Sequence, residues 1–195
     1  MSMSDRSRRH VESESEYESS ELTDEWVRSS DGGVPRHAMV GGQNLHGEPF
    51  YIARVNFRGN LLPGKLLPSA RLCFVSLDQA EYSSSVYEVL TRSSNLSYHW
   101  VRMGGCVIPR NAIVGGRTAM GELIYVGRHM HKGELTPGKI IPSHRCIYVP
   151  YLGKEIRYRD FEVLIQGEYP FFDVPKRECP IANKKDSPAG SSRRV

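Results

Sequence analysis

Side chains able to do chemistry recur in this 195-residue chain at a separation of 74 residues. Glu48 recurs as Glu122, Arg36 as Arg110, Arg54 as Arg128, Arg71 as Arg145, Lys65 as Lys139 and Trp26 as Trp100. The rigid donor fork of arginine suits a phosphate group. Glu88 and Glu162 recur as well, so arginine–glutamate pairing is the expectation. Glu48 and Glu122 can meet a sugar hydroxyl or cap a loop, and the loop role is favoured. A tryptophan can cover the C–H face of a pyranose, but Trp26 and Trp100 open valine-bearing segments and read as core anchors. His129 and His131 fall on one strand face, yet their counterparts are Val55 and Phe57. A zinc site with its full ligand set is therefore not expected. Cysteines 73, 106, 146 and 179 form no Cys-x-x-Cys, so free thiols are expected and Cys106 is the one candidate nucleophile. Gly-x-Ser-x-Gly, a phosphate-cradling glycine loop and a locatable acid/base carboxylate pair are all missing. The expectation is a non-enzymatic protein that uses no cofactor or metal.

These pairs belong to an internal duplication. Across the 65 positions from Trp26 to Leu90, 26 are identical to the residue 74 positions later, without a gap. Gly41-Gly42 recurs as Gly115-Gly116, and Pro63-Gly64 as Pro137-Gly138. The first pair is expected to use glycine's positive-φ freedom, and the second to form a type II turn. Between them lie β-branched and aromatic runs, 50–57, 72–77 and 86–90, with their copies. Tyr51, Ala53, Val55 and Phe57 alternate onto one face, and 146–156 reads as a hairpin around Leu152-Gly153. A unit of about 65 residues with open edges is marginal alone. The prediction is all-β: two tandem homologous antiparallel repeats, 24–90 and 100–166, joined by 91–99 and sharing one core with pseudo-two-fold symmetry.

Charge is unevenly spread, at −5 over residues 1–25 and +7 over 26–165. Residues 1–23 form an acidic, serine-rich leader expected to be disordered, its serines candidate phosphorylation sites. Residues 167–195 read as a tail, mobile beyond about 180. No apolar run approaches the roughly 20 residues that span a bilayer, and none follows the basic N-terminus as a signal peptide requires. A cytoplasmic location is the expectation.

The repeat resembles the DM-nine repeat family. The second copy carries the signature as Gly115-Gly116, Ile124-Tyr-Val-Gly-Arg128, His131-Lys-Gly133 and Pro137-Gly-Lys-Ile-Ile-Pro142. The first departs at Ala53-Arg54 and at Phe57. The resemblance covers roughly residues 26–165. It implies an all-β tandem-repeat protein without established enzymatic activity, in a family whose members include mannose-binding lectins and intracellular proteins that respond to infection or move to vesicles. In the sugar-binding members, the lysine of Pro-Gly-Lys and an acidic residue after Gly-Gly contact hydroxyls. The lysine carries over as Lys65 and Lys139, whose three donors suit vicinal hydroxyls. At the acidic position stand Asn44 and Thr118.

Two classes of function follow. One is carbohydrate recognition, with mannose-type glycans as partners and two quasi-equivalent shallow sites at Lys65, Asn44 and Glu48 and at Lys139, Thr118 and Glu122. A homodimer would add avidity to weak sites. The other is a vesicle-associated module whose basic body meets protein or an anionic membrane surface. Nucleic acid is not an expected partner.

Overall fold

The computed structural model describes residues 25–104 and 107–168. The leader, Cys106, Cys179 and most of the tail lie outside the described residues.

The described chain is antiparallel β-structure of 14 strands, seven per repeat. In the first repeat these are β1 (Glu25–Ser30), β2 (Val40–Gln43), β3 (Pro49–Phe57), β4 (Asn60–Leu67), β5 (Leu72–Leu77), β6 (Ala80–Ser84) and β7 (Val86–Thr91). The second has β8 (Tyr98–Met103), β9 (Val114–Arg117), β10 (Leu123–His131), β11 (Glu134–Ile141), β12 (Cys146–Tyr151), β13 (Lys154–Tyr158) and β14 (Phe161–Gln166). The expected strands at 50–57, 72–77 and 86–90 are β3, β5 and β7. Leu152 and Gly153, both at positive φ, form the expected hairpin turn between β12 and β13.

Neither repeat closes on itself. The ring runs β2–β3–β4–β9–β10–β11 and returns to β2, so each repeat supplies three strands of a closed barrel. The two closing bridges are equivalents of each other, Leu61 with Arg117 and Leu135 with Gln43. A third, Ala80 with Lys154, joins a residue to its own counterpart and so marks the pseudo-two-fold axis. The shared core is built the same way. Met39, Ile52 and Leu90 pack with their equivalents Ile113, Val126 and Leu164, and Trp26, Tyr98 and Trp100 lie against them. The tryptophans are core anchors.

Two expectations about the duplicated glycines are corrected by how the ring closes. Pro63-Gly64 and Pro137-Gly138 are not turns; they lie inside β4 and β11. Gly41-Gly42 and Gly115-Gly116 lie in β2 and β9, with none of the four at positive φ. What these positions need is the missing Cβ. A Cβ on Gly42 would stand 1.7 Å from the Leu135 carbonyl oxygen, and one on Gly116 2.0 Å from that of Leu61. A Cβ on Gly41 would meet the Pro137 ring, and one on Gly115 the Pro63 ring. The Gly-Gly strand of each repeat is thus the seat for the Pro-Gly strand of the other, and the two motifs are halves of one lock.

Candidate functional site

Strand alternation puts Lys65 on the face of β4 that carries Pro63, toward the second repeat, while Leu62 and Leu66 fill the first repeat's core. Lys65 pairs with Ile52 on β3 and Phe74 on β5. It is only 6% exposed. Its Nζ lies 4.9 Å from the ring centre of Phe50, 5.9 Å from that of Phe74 and 5.7 Å from that of Tyr151, the last contributed by β12 of the other repeat. It makes no hydrogen bond or ion pair with any described residue. Burial pulls its pKa below the ordinary lysine value, and the charges of Glu81 and Glu134 act against that shift. Tyr151 is itself held. His131 meets it edge-on at 4.3 Å and the Lys132 ammonium lies 5.6 Å from its ring centre. His131 bonds the Tyr158 hydroxyl. Its pKa is lowered by burial first, then by Lys132 and His129. His129 stacks on Tyr158 at 3.6 Å.

Lys139, its equivalent on β11, is 2% exposed and fully engaged. Its Nζ lies 2.9 Å from Glu155 Oε1 and donates to the Ser76 carbonyl of the first repeat. Glu155 Oε2 accepts from the Gln79 amide at 2.9 Å, and in the mirrored contact Glu81 Oε2 accepts from the Gly153 amide at 2.6 Å. Side chains explain part of the asymmetry. Phe50, Phe74 and Tyr151 around Lys65 correspond to Ile124, Tyr148 and Leu77 around Lys139, so two of three rings become aliphatic. One lysine sits in an aromatic cage without a partner among the described residues, and the other is neutralised by Glu155.

The loop residues work on the loops. Asn44 Oδ1 accepts from the amides of His46 and Glu48 at 2.9 and 3.0 Å, and its Nδ2 donates to Glu48 Oε2 at 3.2 Å. Glu48 also accepts from the amide and hydroxyl of Ser69, in the 3-10 turn Pro68–Ala70. The second repeat repeats the design: Thr118 Oγ1 accepts from the Glu122 amide at 3.1 Å, and Glu122 clamps Ser143 at 2.9 and 2.8 Å. None of these four makes a hydrogen bond to Lys65 or Lys139. The expected arginine–glutamate pairs form: Arg54 Nε lies 2.7 Å from Glu88 and Arg128 Nε 2.6 Å from Glu162. Each guanidinium also covers a tryptophan, Arg54 on Trp26 at 4.2 Å and Arg128 on Trp100 at 4.1 Å. Cys73 and Cys146 are buried free thiols. Burial drives the Cys73 pKa far up, which removes it as a nucleophile.

Sequence reasoning found Lys65 but missed its cage. Tyr151 comes from the other repeat, and no local pattern links it to Lys65 across 86 positions. The one available signal was that Phe50, Phe74 and Tyr151 are aromatic where their copies mostly are not.

The model of the DM9 repeat matches residues 7–83 and 45–158. The chain belongs to the DM9 repeat family. Natterin-4 of Thalassophryne nattereri is 29% identical over 141 residues, which are 72% of this chain and 33% of natterin-4. Natterin-1 of the same fish is 30% identical over 142 residues, 71% of this chain and 37% of natterin-1. The chain thus spans about a third of the length of the natterins it matches. The crystal structure of the nematode sperm cell motility protein MFP2B superposes with a TM-score of 0.52 at 13% identity, covering 88% of this chain and 50% of that one. That likeness shows a shared fold. For a DM9 repeat protein, the family points to a binding module and not to catalysis. Among the described residues, no helix is long and apolar enough to cross a membrane, which says nothing of β-barrels.

Proposed function

We propose that the protein recognises carbohydrate, and that it does so at one site, the aromatic cage of Lys65, instead of at two equivalent ones. The observation that carries this reading is the unequal state of the two lysines. A nearly buried ammonium without an acceptor is costly, and Lys65 has none among the described residues, whereas Lys139 has Glu155 and Ser76. A hexose supplies what Lys65 lacks. Its hydroxyl oxygens accept from the ammonium, its hydroxyl hydrogens are within the chemistry of Glu81 and Glu134, and its C–H face suits Tyr151 or Phe50. The negative charges of Glu81 and Glu134 act on this cation, which favours a neutral sugar over an acidic one, and a mannose-type ring is the ligand to test. Asn44 and Glu48 shape the neighbouring loop and do not contact the ligand in this reading.

Calorimetry of the intact protein with methyl mannoside tests it. Lys65→Met is expected to abolish binding and Glu122→Gln to leave it unchanged. No binding of any neutral hexose at about ten millimolar, a level that detects even sites worth roughly 3 kcal/mol, would refute the proposal.

A further inference from the structure

A cleft of about 370 Å³ opens where the two repeats are stitched together, lined by His37, Met39, Val40, Arg92, Tyr98 and Trp100 among others. Among the described residues its lining carries two basic side chains and two aromatic rings and no carboxylate. The cleft of about 410 Å³ beside Arg128 is different, because there Arg102 and Arg128 are matched by Asp160 and Glu162. The duplication supplies a second comparison. The residues equivalent to His37 and Arg92 are Asn111 and Gln166, and Asn111 Nδ2 donates to the carbonyls of Gln166 and Glu168 at 2.6 and 2.9 Å. At that end the Asn111 amide nitrogen is taken up by the chain's own backbone carbonyls. At the junction cleft the basic groups face outward.

The start of β1 identifies an occupant. β1 runs antiparallel to β7 and begins with Glu25 opposite Thr91, next to Arg92, whose amide is held by the His37 carbonyl at 2.9 Å. Residues 11–24 lie outside the described residues, and their sequence holds six carboxylates, no basic side chain, and the apolar Val11, Tyr17 and Leu22. We propose that this acidic segment of the same chain is the partner of the junction cleft. Its carboxylates meet Arg92 and His37, and its apolar residues lie against Val40, which is 51% exposed. Reach is ample: Leu22 is three residues from Glu25, about 10 Å of extended chain. Each exposed ion pair contributes little, but tethering makes the encounter intramolecular and six charges act together. The contact must therefore weaken as salt screens it.

NMR of the full chain tests this through the heteronuclear NOEs of residues 11–24 and the Trp100 indole signal. At low salt, about 20 mM, the segment's NOEs are expected to be positive. They should fall to zero or below in about 0.5 M salt, in Arg92→Glu, and in a variant with Glu12, Glu14, Glu16, Glu18 and Glu21 changed to Gln, with the Trp100 indole moving each time. The Gln variant alters no described residue, so the fold of the repeats is not at stake. Low or negative NOEs in the unaltered chain at low salt overturn the proposal. So do positive NOEs that ignore Arg92→Glu, which place the segment on another surface, and NOEs that collapse on dilution, which assign it to a second copy.

Discussion

The two lysines give the sharpest test, because the same substitution at equivalent positions should have opposite effects. Lys139→Met leaves the Glu155 carboxylate, its side chain 8% exposed, without the ammonium now 2.9 Å away. Removing one partner of a buried ion pair costs about 3–5 kcal/mol. Glu155 keeps the Gln79 amide on its other oxygen, which places the loss near the lower end, about 3 kcal/mol. At roughly 2–4 °C per kcal/mol for a protein of this size, the melting temperature should fall by about 6–12 °C. Lys65→Met removes a cation that has no ion pair and gives three rings a thioether to pack on. The expected change is between zero and a gain of about 1 kcal/mol. The pH dependence separates them further. The folded pKa of Lys65 lies below its ordinary 10.5, so the unfolded chain binds more protons between those two values. Stability of the unaltered protein should therefore climb as pH rises through that window, and the climb should vanish in Lys65→Met. Calorimetric melts at about pH 7 and about pH 9.5 read both effects. Equal losses from the two substitutions, or a larger loss from Lys65→Met, would refute the inference that only one site is free.

Gly42→Ala puts a methyl group 1.7 Å from the Leu135 oxygen, and Gly116→Ala puts one 2.0 Å from that of Leu61. Either should open the ring and cost more than about 4 kcal/mol, read as lost soluble yield and lost cooperative unfolding. Arg54→Lys keeps the charge but loses the flat fork that reaches Glu88, the Trp26 ring and the Gly115 carbonyl together. A loss of about 1–2 kcal/mol in urea unfolding is expected, and Arg128→Lys should match it. The His131 pKa lies below 6.5, so between those values the unfolded chain binds more protons and stability falls as the solution is acidified. His131→Phe, the residue found at the equivalent Phe57, should flatten melting temperature between about pH 5 and 7.

The duplication made most of the fold legible before any coordinates. Alternation in 50–57 gave β3, and two half-sized units marginal alone required shared packing, which the central cluster supplies beside a cluster centred in each repeat. The strands that close the barrel were hidden because their motifs imitate other structures. Pro63-Gly64 has turn chemistry, yet a proline in β4 is tolerated here because it seats on Gly115 of the partner repeat. That is a contact between repeats, which spacing within one repeat does not encode. The same limit applies to the site. Lys65 stood out by its recurrence, while its state depends on Tyr151, Glu81 and Glu134, brought in by tertiary closure. Asn44 and Glu48 were candidates for a ligand because asparagine and glutamate suit hydroxyls, and the loop amides and Ser69 took up that capacity first.

The reciprocal lock also explains which duplicated residues are free to diverge. Each Gly-Gly must fit the other repeat's Pro-Gly, so a change in one copy damages a bridge that both repeats need for closure. Those four positions have stayed identical in the two copies. The lysine surroundings answer to no such constraint, because Phe50 and Ile124, or Tyr151 and Leu77, never have to fit each other. Glu155 and Ser76 satisfy Lys139, so that half is a structural ion pair, and the aromatic half is the one proposed to hold a ligand. Symmetry in this protein therefore belongs to the closure of the barrel, and the proposed site belongs to the residues that broke it.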